Sequence, residues 1–304
     1  MTQAAAHSSA SAAADVIVVG AGPAGSSAAY HMATLGLDVI LLEKQELGRD
    51  KVCGDGLTPS AVRELVSMGM DTTGWQSNRG LRVIGGGHLL HFPWPEQASF
   101  PSYGMARPRA LLDRDLAEHA AAAGARLLTG VTVTAPVTSP TGRVTGVEAR
   151  PTNRVAYPGI EGPTTFTAPL VIDAGGVSAR LATAVGRTKN ERRPMGVAVR
   201  AYFRSPRAQD AWMESRLELW DGTPGKSDLL PGYGWIWSVG EGLVNVGLGS
   251  VSSRAQATAI DYRAVFNRWM DNVPASWGFT KENQVGGLVS AALPMAFNRK
   301  PHYA

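Results

Sequence analysis

The chain has 304 residues, of which 44% are hydrophobic and 18% are charged, and its formal net charge is +4. This composition predicts a soluble, globular protein with enough apolar residues for a large buried core. The basic residues form no cluster, which argues against nucleic acid as a partner. The single cysteine, Cys53, rules out an intrachain disulfide and a cysteine-based zinc site. The six histidines show no spacing typical of metal ligands.

The amino-terminal stretch, residues 1–14, is rich in alanine and serine and lacks the basic start and apolar core of a signal peptide. We predict that this stretch is a disordered tail. No apolar run in the sequence reaches the roughly 18 residues that a membrane-spanning helix requires. Together with the single cysteine, these features predict a cytoplasmic location.

A strand, a glycine-rich turn, a helix and a second strand follow the tail in that order. The strand is predicted over residues 15–20, the helix over 26–35 and the second strand over 38–42, just before Glu43. The turn has the sequence Gly20-Ala-Gly22-Pro-Ala-Gly25. This order is typical of a parallel sheet that binds a dinucleotide. The alternative is a glycine turn in some other kind of α/β protein.

Each glycine of the turn has a physical task in nucleotide binding. Gly20 permits the tight turn, Gly22 lets the main chain approach a pyrophosphate, and Gly25 lets the helix pack closely on the sheet. The N–H groups at the start of the helix favour phosphate charge. Glu43 can accept hydrogen bonds from a ribose 2′-hydroxyl and would repel the 2′-phosphate of NADP, so we expect FAD or NAD.

The next segment, Arg49-Asp-Lys51-Val-Cys53-Gly54-Asp-Gly56, resembles the corresponding segment of the geranylgeranyl reductase family of flavoproteins. That family has the p-hydroxybenzoate hydroxylase type of fold, and the resemblance implies that FAD is the cofactor. It also implies that Cys53 and Gly54 pass beside the flavin ring, where a glycine leaves room for a planar group. The alternative is that Cys53 is a small buried residue without a chemical role.

The same resemblance implies further contacts to FAD. Arg109 opens a helix predicted to run to Gly124, and its guanidinium would neutralise phosphate, unless it is an ordinary surface arginine. The middle of a strand predicted over residues 126–134, around Val131, would contact the adenine through its main chain. The expected FAD-binding residues are Gly20, Gly22, Ala24, Gly25, Glu43, Lys44, Cys53, Gly54, Arg109 and Val131.

Residues 170–180 resemble a strand and turn that relatives usually write Ala-Asp-Gly-x-x-Ser. In this chain Gly175 occupies the position of the aspartate, and Asp173 lies two residues earlier. We therefore expect only the main chain of this turn to contribute to cofactor binding.

Short strands separated by glycine and proline fill residues 79–106 and the region after residue 189, and two of them are predicted over 196–204 and 243–250. Tyr233, Trp235 and Trp237 alternate along one strand and so share a face. They and the following Asn245-Val-Gly resemble the Tyr-x-Trp-x-Phe-Pro and Asn-Val-Gly segments of geranylgeranyl reductases. The resemblance implies an apolar wall for a polyprenyl chain, with polar edges from the tyrosine hydroxyl and the indole N–H groups. Ordinary core packing is the alternative.

The fold class predicted is α/β, with a Rossmann-type FAD-binding domain interleaved with a mixed or antiparallel β-sheet substrate domain. We assign residues 15–78 and 107–188 to the first domain and 79–106 and 189–300 to the second. Residues 151–163 are predicted to form an exposed loop or hairpin tip. The segment Leu293–Tyr303 most resembles menaquinone side-chain reductases. The sequence ends before a Gly-Asp motif that contacts FAD in relatives, which predicts that the carboxy-terminal part of the FAD domain is missing.

These features predict an FAD-dependent oxidoreductase that reduces a carbon–carbon double bond in a polyprenyl chain, such as menaquinone or a geranylgeranyl group. Reduced FAD would deliver a hydride. The electron donor and the catalytic residues are not identified, and a polyprenyl substrate implies peripheral contact with the inner face of the cell membrane. An aromatic monooxygenase of the same fold is the first alternative, and a truncated, non-catalytic remnant is the second.

Overall fold

The computed structural model describes residues 13–152, 162–186, 195–252 and 260–294. The chain divides into two compact units: unit 1 is Met1–Arg49 with Ala110–Lys189, and unit 2 is Asp50–Arg109 with Asn190–Ala304. Most of the predicted tail, most of the predicted loop over 151–163 and most of the segment 293–303 lie outside the described residues.

Short strands outnumber helices in the described part of the chain. In chain order the strands are β1 (Val16–Val19), β2 (Val39–Leu42), β3 (Gly56–Leu57), β4 (Gln76–Asn78), β5 (Gly80–Gly85), β6 (His88–Pro93), β7 (Gly104–Ala106), β8 (Arg126–Leu128), β9 (Val131–Thr138), β10 (Val144–Pro151), β11 (Thr164–Thr167), β12 (Leu170–Asp173), β13 (Met195–Arg204), β14 (Trp212–Arg216), β15 (Leu219–Trp220), β16 (Leu229–Leu230), β17 (Gly232–Gly240), β18 (Leu243–Ser252) and β19 (Gln284–Pro294). Within the described residues the α-helices are α1 (Pro23–Thr34), α2 (Pro59–Ser67), α3 (Arg109–Ala122), α4 (Arg180–Ala184) and α5 (Tyr262–Met270).

Unit 1 is built on a parallel sheet with the strand order β12-β1-β2-β8. Strand β2 has the sequence Val-Ile-Leu-Leu and is buried on both faces, as expected for a parallel strand. Its side chains alternate: Val39 and Leu41 pack with alanines of α1 and α3, whereas Ile40 and Leu42 pack against the antiparallel sheet β11-β10-β9. The strand, helix and strand predicted for the first βαβ unit are present as β1, α1 and β2.

The single strand predicted over residues 126–134 is two strands, because the chain turns at Gly130. That residue has a φ of +67°, a conformation that side-chain-bearing residues rarely adopt. Strand β8 stays in the parallel sheet beside β2, and β9, which begins at Val131, pairs with β10. The turn thus divides one apolar run between two sheets.

Unit 2 contains a seven-stranded sheet with the order β19-β13-β18-β17-β14-β5-β6. Strands β14 and β5 are parallel and the other neighbours are antiparallel, so the sheet is mixed, as predicted. Helix α5 covers one face through Val265, Phe266 and Trp269. The Trp269 indole lies so close to the sheet that a Cβ at Gly234 would be 2.0 Å from its ring. A second, three-stranded sheet of this unit has the order β3-β7-β4.

The boundary between the units differs from the predicted domain boundary. Residues 50–78, which we assigned to the first domain, belong to unit 2, and so do residues 107–109. The physical reason is strand pairing: Gly56–Leu57 and Gln76–Asn78 both pair with Gly104–Ala106. No helix in the described part of the chain is both long and apolar enough to cross a bilayer.

Candidate functional site

The glycine turn of unit 1 is closely packed at two of its three glycines. Gly20 has a φ of +102°, and a Cβ there would lie 2.7 Å from the carbonyl oxygen of Ala174. A Cβ at Gly25 would lie 1.8 Å from the carbonyl oxygen of Gly20. Contacts this short exclude any side chain, so α1 can approach the turn only with glycine at position 25, and the turn can lie beside Ala174 only with glycine at position 20.

Gly22 and Ala24 lie at the start of α1, where a phosphate group is expected. Gly22 is the residue that precedes the helix, and no side chain caps the helix there. The first N–H groups of a helix have no partner within it, so these groups are directed toward whatever lies beyond the turn. Ala24 is exposed in the first turn of the helix. The glycine turn and the start of α1 therefore fit the diphosphate of a dinucleotide.

Glu43 lies beside the glycine turn at the end of β2. One carboxylate oxygen accepts a hydrogen bond from the main-chain N–H of Ala21 at 2.9 Å, and the other accepts one from Gln45 at 3.0 Å. Its carbonyl oxygen accepts the N–H of Val131 at 2.9 Å. The structure thus brings the acid, the glycine turn and the start of β9 together.

A shallow cavity of about 210 Å³ lies next to Glu43 in unit 1, lined by residues 44–49 and Gly130. The exposed Lys44 and Arg49 contribute positive charge to it, and Glu46 contributes negative charge. The expected contact of Lys44 with the cofactor remains a prediction.

Asp173 has a structural role in the turn over residues 170–180. Its two carboxylate oxygens accept hydrogen bonds from the main-chain N–H groups of Gly175 at 3.0 Å and Ala182 at 2.8 Å. The side chain therefore holds the turn and the start of α4 together. The expected main-chain role of the turn in cofactor binding remains a prediction.

In unit 2, the cysteine segment (residues 51–56) is held by side chains of the seven-stranded sheet. Three of its carbonyl oxygens accept hydrogen bonds from side chains. Arg200 donates to the carbonyl of Lys51 at 3.2 Å, and Asn245 donates to that of Cys53 at 2.9 Å. The Trp237 indole donates to the carbonyl of Gly54. The segment is therefore fixed through its main chain by three different strands, β13, β17 and β18.

The glycines of the cysteine segment have a packing role within unit 2. A Cβ at Gly54 would lie 2.6 Å from the Trp237 ring, and a Cβ at Gly56 would lie 2.4 Å from the methyl group of Met213. We expected Gly54 to leave room for a planar flavin. The Trp237 indole packs against Gly54, and the expected place of Gly54 beside the flavin stays a prediction.

The three aromatic residues of β17 form a row, as their alternation predicts. The ring centroids of Tyr233 and Trp235 are 6.0 Å apart, and those of Trp235 and Trp237 are also 6.0 Å apart. Tyr233 is 45% exposed, whereas Trp235 and Trp237 are only 4% and 8% exposed. Tyr233 is therefore the most accessible part of this row.

The expectation that the indole N–H groups offer polar edges to a substrate requires correction. The Trp235 indole donates to the side-chain oxygen of Asn245 at 2.8 Å, and the Trp237 indole donates to the Gly54 carbonyl. Each indole has one N–H, so both donors are already used within the protein.

Arg109 is the first residue of α3, as predicted. Its main-chain N–H donates to a carboxylate oxygen of Asp55 at 3.0 Å. The role expected for its guanidinium, binding of cofactor phosphate, remains a prediction.

Sequence reasoning missed Asp55 and Tyr202. Asp55 is 1% exposed and accepts a hydrogen bond from the Tyr202 hydroxyl at 2.6 Å. The usable signal for Asp55 was its position between Gly54 and Gly56, in a segment that we expected to pass beside the flavin ring. Tyr202 carried no comparable signal, since its contact spans 147 residues of sequence.

The parallel sheet, the glycine turn and the acid at the end of β2 define a dinucleotide-binding protein of the Rossmann type. The chain belongs to the FAD-binding domain family, whose model matches residues 13–241. This match confirms the prediction that FAD is the cofactor, and it confirms the predicted fold class.

Two curated relatives are similar over most of the chain. The menaquinone reductase of Mycolicibacterium smegmatis is 39% identical over 286 residues, which is 93% of this chain and 65% of the relative. Digeranylgeranylglycerophospholipid reductase 1 of Methanosphaera stadtmanae is 30% identical over 256 residues, which is 82% of this chain and 57% of the relative. These similarities confirm the resemblance to geranylgeranyl and menaquinone reductases.

One solved structure shows the same fold. A geranylgeranyl bacteriochlorophyll reductase-like protein from Thermoplasma acidophilum superposes with a TM-score of 0.72 at 24% identity, covering 93% of this chain and 66% of that protein. This chain thus spans 65%, 57% and 66% of the lengths of these three proteins.

Proposed function

We propose that the chain uses FAD to reduce a carbon–carbon double bond in a polyprenyl chain, such as the side chain of menaquinone. The observation that carries this proposal is the 39% identity to a menaquinone reductase over 286 residues, a length that includes parts of both units. Fold alone does not assign a reaction, because one fold hosts several chemistries.

The residues of the chain have separate tasks in this proposal. FAD, when bound, supplies the electrons in the form of a hydride. Gly20 and Gly25 keep the turn and α1 closely packed, Gly22 lets the diphosphate approach the main chain, and Glu43 binds the ribose. The row formed by Tyr233, Trp235 and Trp237 offers apolar surface to the polyprenyl chain, chiefly through the exposed ring of Tyr233.

A product assay tests the proposed reaction. The chain is loaded with FAD, reduced without oxygen by dithionite and given menaquinone. Mass spectrometry of the product is expected to show a gain of the mass of H₂ in the side chain. A menaquinone with a saturated side chain is the control: its quinone ring is reduced by dithionite, as in the substrate, but its side chain is expected to stay unchanged. An unchanged side chain in the presence of bound, reduced FAD would contradict the proposal, as would a hydroxylated product formed with consumption of oxygen when the assay is repeated in air.

We further propose that unit 2 contacts a membrane surface, where a polyprenyl substrate resides. All six residues of the edge strand β6 are exposed, and Leu89, Leu90 and Phe92 are 55%, 51% and 50% exposed. Phe92 pairs with Leu81, which packs against the buried cluster that contains Trp235. This apolar edge is therefore continuous with the aromatic row, and it supports a path for an apolar chain.

Charges on this edge are expected to weaken membrane binding. Replacing Leu90 and Phe92 together by glutamate is expected to reduce co-sedimentation with phosphatidylglycerol vesicles about tenfold, because apolar area is lost and the added negative charges repel anionic lipid. The matched control places glutamate at Leu35 and Val177, two exposed apolar residues of unit 1. Equal losses in the two double variants would show a general charge effect and would contradict a docking edge.

A further inference from the structure

Asp55 is the only buried residue of the cysteine segment. Its φ is +63°, in the left-handed region that aspartate and asparagine tolerate better than most residues. One carboxylate oxygen accepts hydrogen bonds from the Tyr202 hydroxyl at 2.6 Å and the Asn245 amide at 2.7 Å. The other accepts the main-chain N–H of Arg109 at 3.0 Å. All three groups donate, which is the arrangement that suits an ionised carboxylate.

The electrostatic surroundings show that this carboxylate is costly to bury. Burial raises the pKa of Asp55, and the hydrogen bonds from Tyr202, Asn245 and the main chain of Arg109, together with the charge of Arg200, only partly oppose the rise. Burial and then the charge of Asp55 raise the pKa of Tyr202, so the Tyr202 hydroxyl keeps its proton and remains a donor. Because desolvating a charge opposes folding, the position of Asp55 points to a local task.

That local task concerns Cys53. The main-chain N–H of Asp55 donates to the Cys53 sulfur at 3.3 Å, and Asn245 donates to the Cys53 carbonyl at 2.9 Å as well as to Asp55. A change in the φ of Asp55 would separate either the carboxylate from its donors or the N–H from the sulfur. The position of the Cys53 sulfur therefore depends on both the side chain and the main chain of Asp55.

We propose that Asp55 is a positioning residue: its carboxylate, held by three donors, fixes the orientation of the Cys53 thiol and sets how readily that thiol reacts. Asp55 acts only through Cys53. The role deepens the proposed function and rests on it.

Thiol labelling tests this role directly, because Cys53 is the only cysteine of the chain. Asp55→Gly removes the carboxylate while glycine keeps the left-handed backbone without strain. The rate of reaction of the native chain with DTNB is expected to rise at least about tenfold, since local opening no longer breaks hydrogen bonds to a charged group. The rise is expected to be nearly independent of low urea concentrations, because local opening exposes little surface.

Three further variants separate the side-chain effect from the backbone effect. Asp55→Asn tolerates the same φ, and its Oδ1 can still accept from Tyr202 and Asn245, but its NH₂ group cannot accept the N–H of Arg109. Its rate is therefore expected to rise by only about threefold. Glu241→Gly is the matched control, an exposed residue of unit 2 with a φ of +56°, and is expected to change nothing. Tyr202→Phe removes one donor without altering the backbone, and an increase of about threefold is expected.

Unchanged labelling in both Asp55→Gly and Tyr202→Phe would overturn the proposal, and Tyr202→Phe alone decides if Asp55→Gly does not fold. An increase that follows the urea dependence of global unfolding would also overturn it, because Asp55 would then have a purely structural role. Labelling requires neither FAD nor a polyprenyl substrate. A failed reductase assay therefore contradicts the proposed function and leaves the labelling result intact.

Discussion

Replacing Gly25 by alanine is expected to weaken FAD binding about 10- to 100-fold. The new Cβ would lie 1.8 Å from the Gly20 carbonyl oxygen and 3.1 Å from the Ala174 side chain, so α1 has to move away from the turn. Overpacking of this kind costs about 1–3 kcal/mol, and about 1.4 kcal/mol corresponds to a tenfold change in affinity. Titration of FAD fluorescence measures the effect.

The matched control for Gly25 is Gly162→Ala. Gly162 also lies in unit 1, and a Cβ there would meet no atom within 4 Å. This variant is expected to bind FAD like the unmodified chain and to unfold at the same urea concentration. If Gly25→Ala retained full FAD affinity, the glycine turn would not hold the cofactor.

The second large effect is expected in unit 2, from Asn245→Ala. Asn245 is fully buried and forms three hydrogen bonds, accepting from Trp235 at 2.8 Å and donating to Cys53 at 2.9 Å and Asp55 at 2.7 Å. Each buried polar group left unpaired costs about 1–3 kcal/mol, so the free energy of unfolding is expected to fall by about 3–5 kcal/mol. Urea unfolding monitored by tryptophan fluorescence measures the loss.

Asn272→Ala provides the comparison for Asn245. Asn272 donates one hydrogen bond, to the carbonyl of Gly222 at 2.7 Å, in a partly buried position. Its loss is expected to cost about 1 kcal/mol. Equal losses in the two variants would mean that the network around the cysteine segment adds no stability beyond a single hydrogen bond.

The first βαβ unit could be predicted from the sequence because its determinants are local. The apolar run of β2, the three glycines of the turn and the position of Glu43 are each readable within about thirty residues. The structure shows why glycine is needed at positions 20 and 25: a Cβ at either position would clash with main-chain atoms. The row formed by Tyr233, Trp235 and Trp237 was predictable for the same reason, since alternation along a strand decides which side chains share a face.

The remaining features depend on contacts between residues that are distant in sequence. The cysteine segment joins unit 2 because β3 pairs with β7, some 50 residues later, and no local pattern indicates that pairing. The network of Asp55, Tyr202 and Asn245 also connects three distant parts of the chain. Gly130 divided a predicted strand because a positive φ cannot be read from an apolar run.

The most direct test of the central claim compares the binding of FAD with that of FMN by equilibrium titration. FMN keeps the flavin ring and one phosphate but lacks the adenosine half that the glycine turn and Glu43 are expected to bind. The chain is expected to bind FAD at least about a hundredfold more tightly, a difference of about 2.7 kcal/mol. Equal affinity for the two flavins, or no binding of either, would contradict the dinucleotide site on which the proposed function depends.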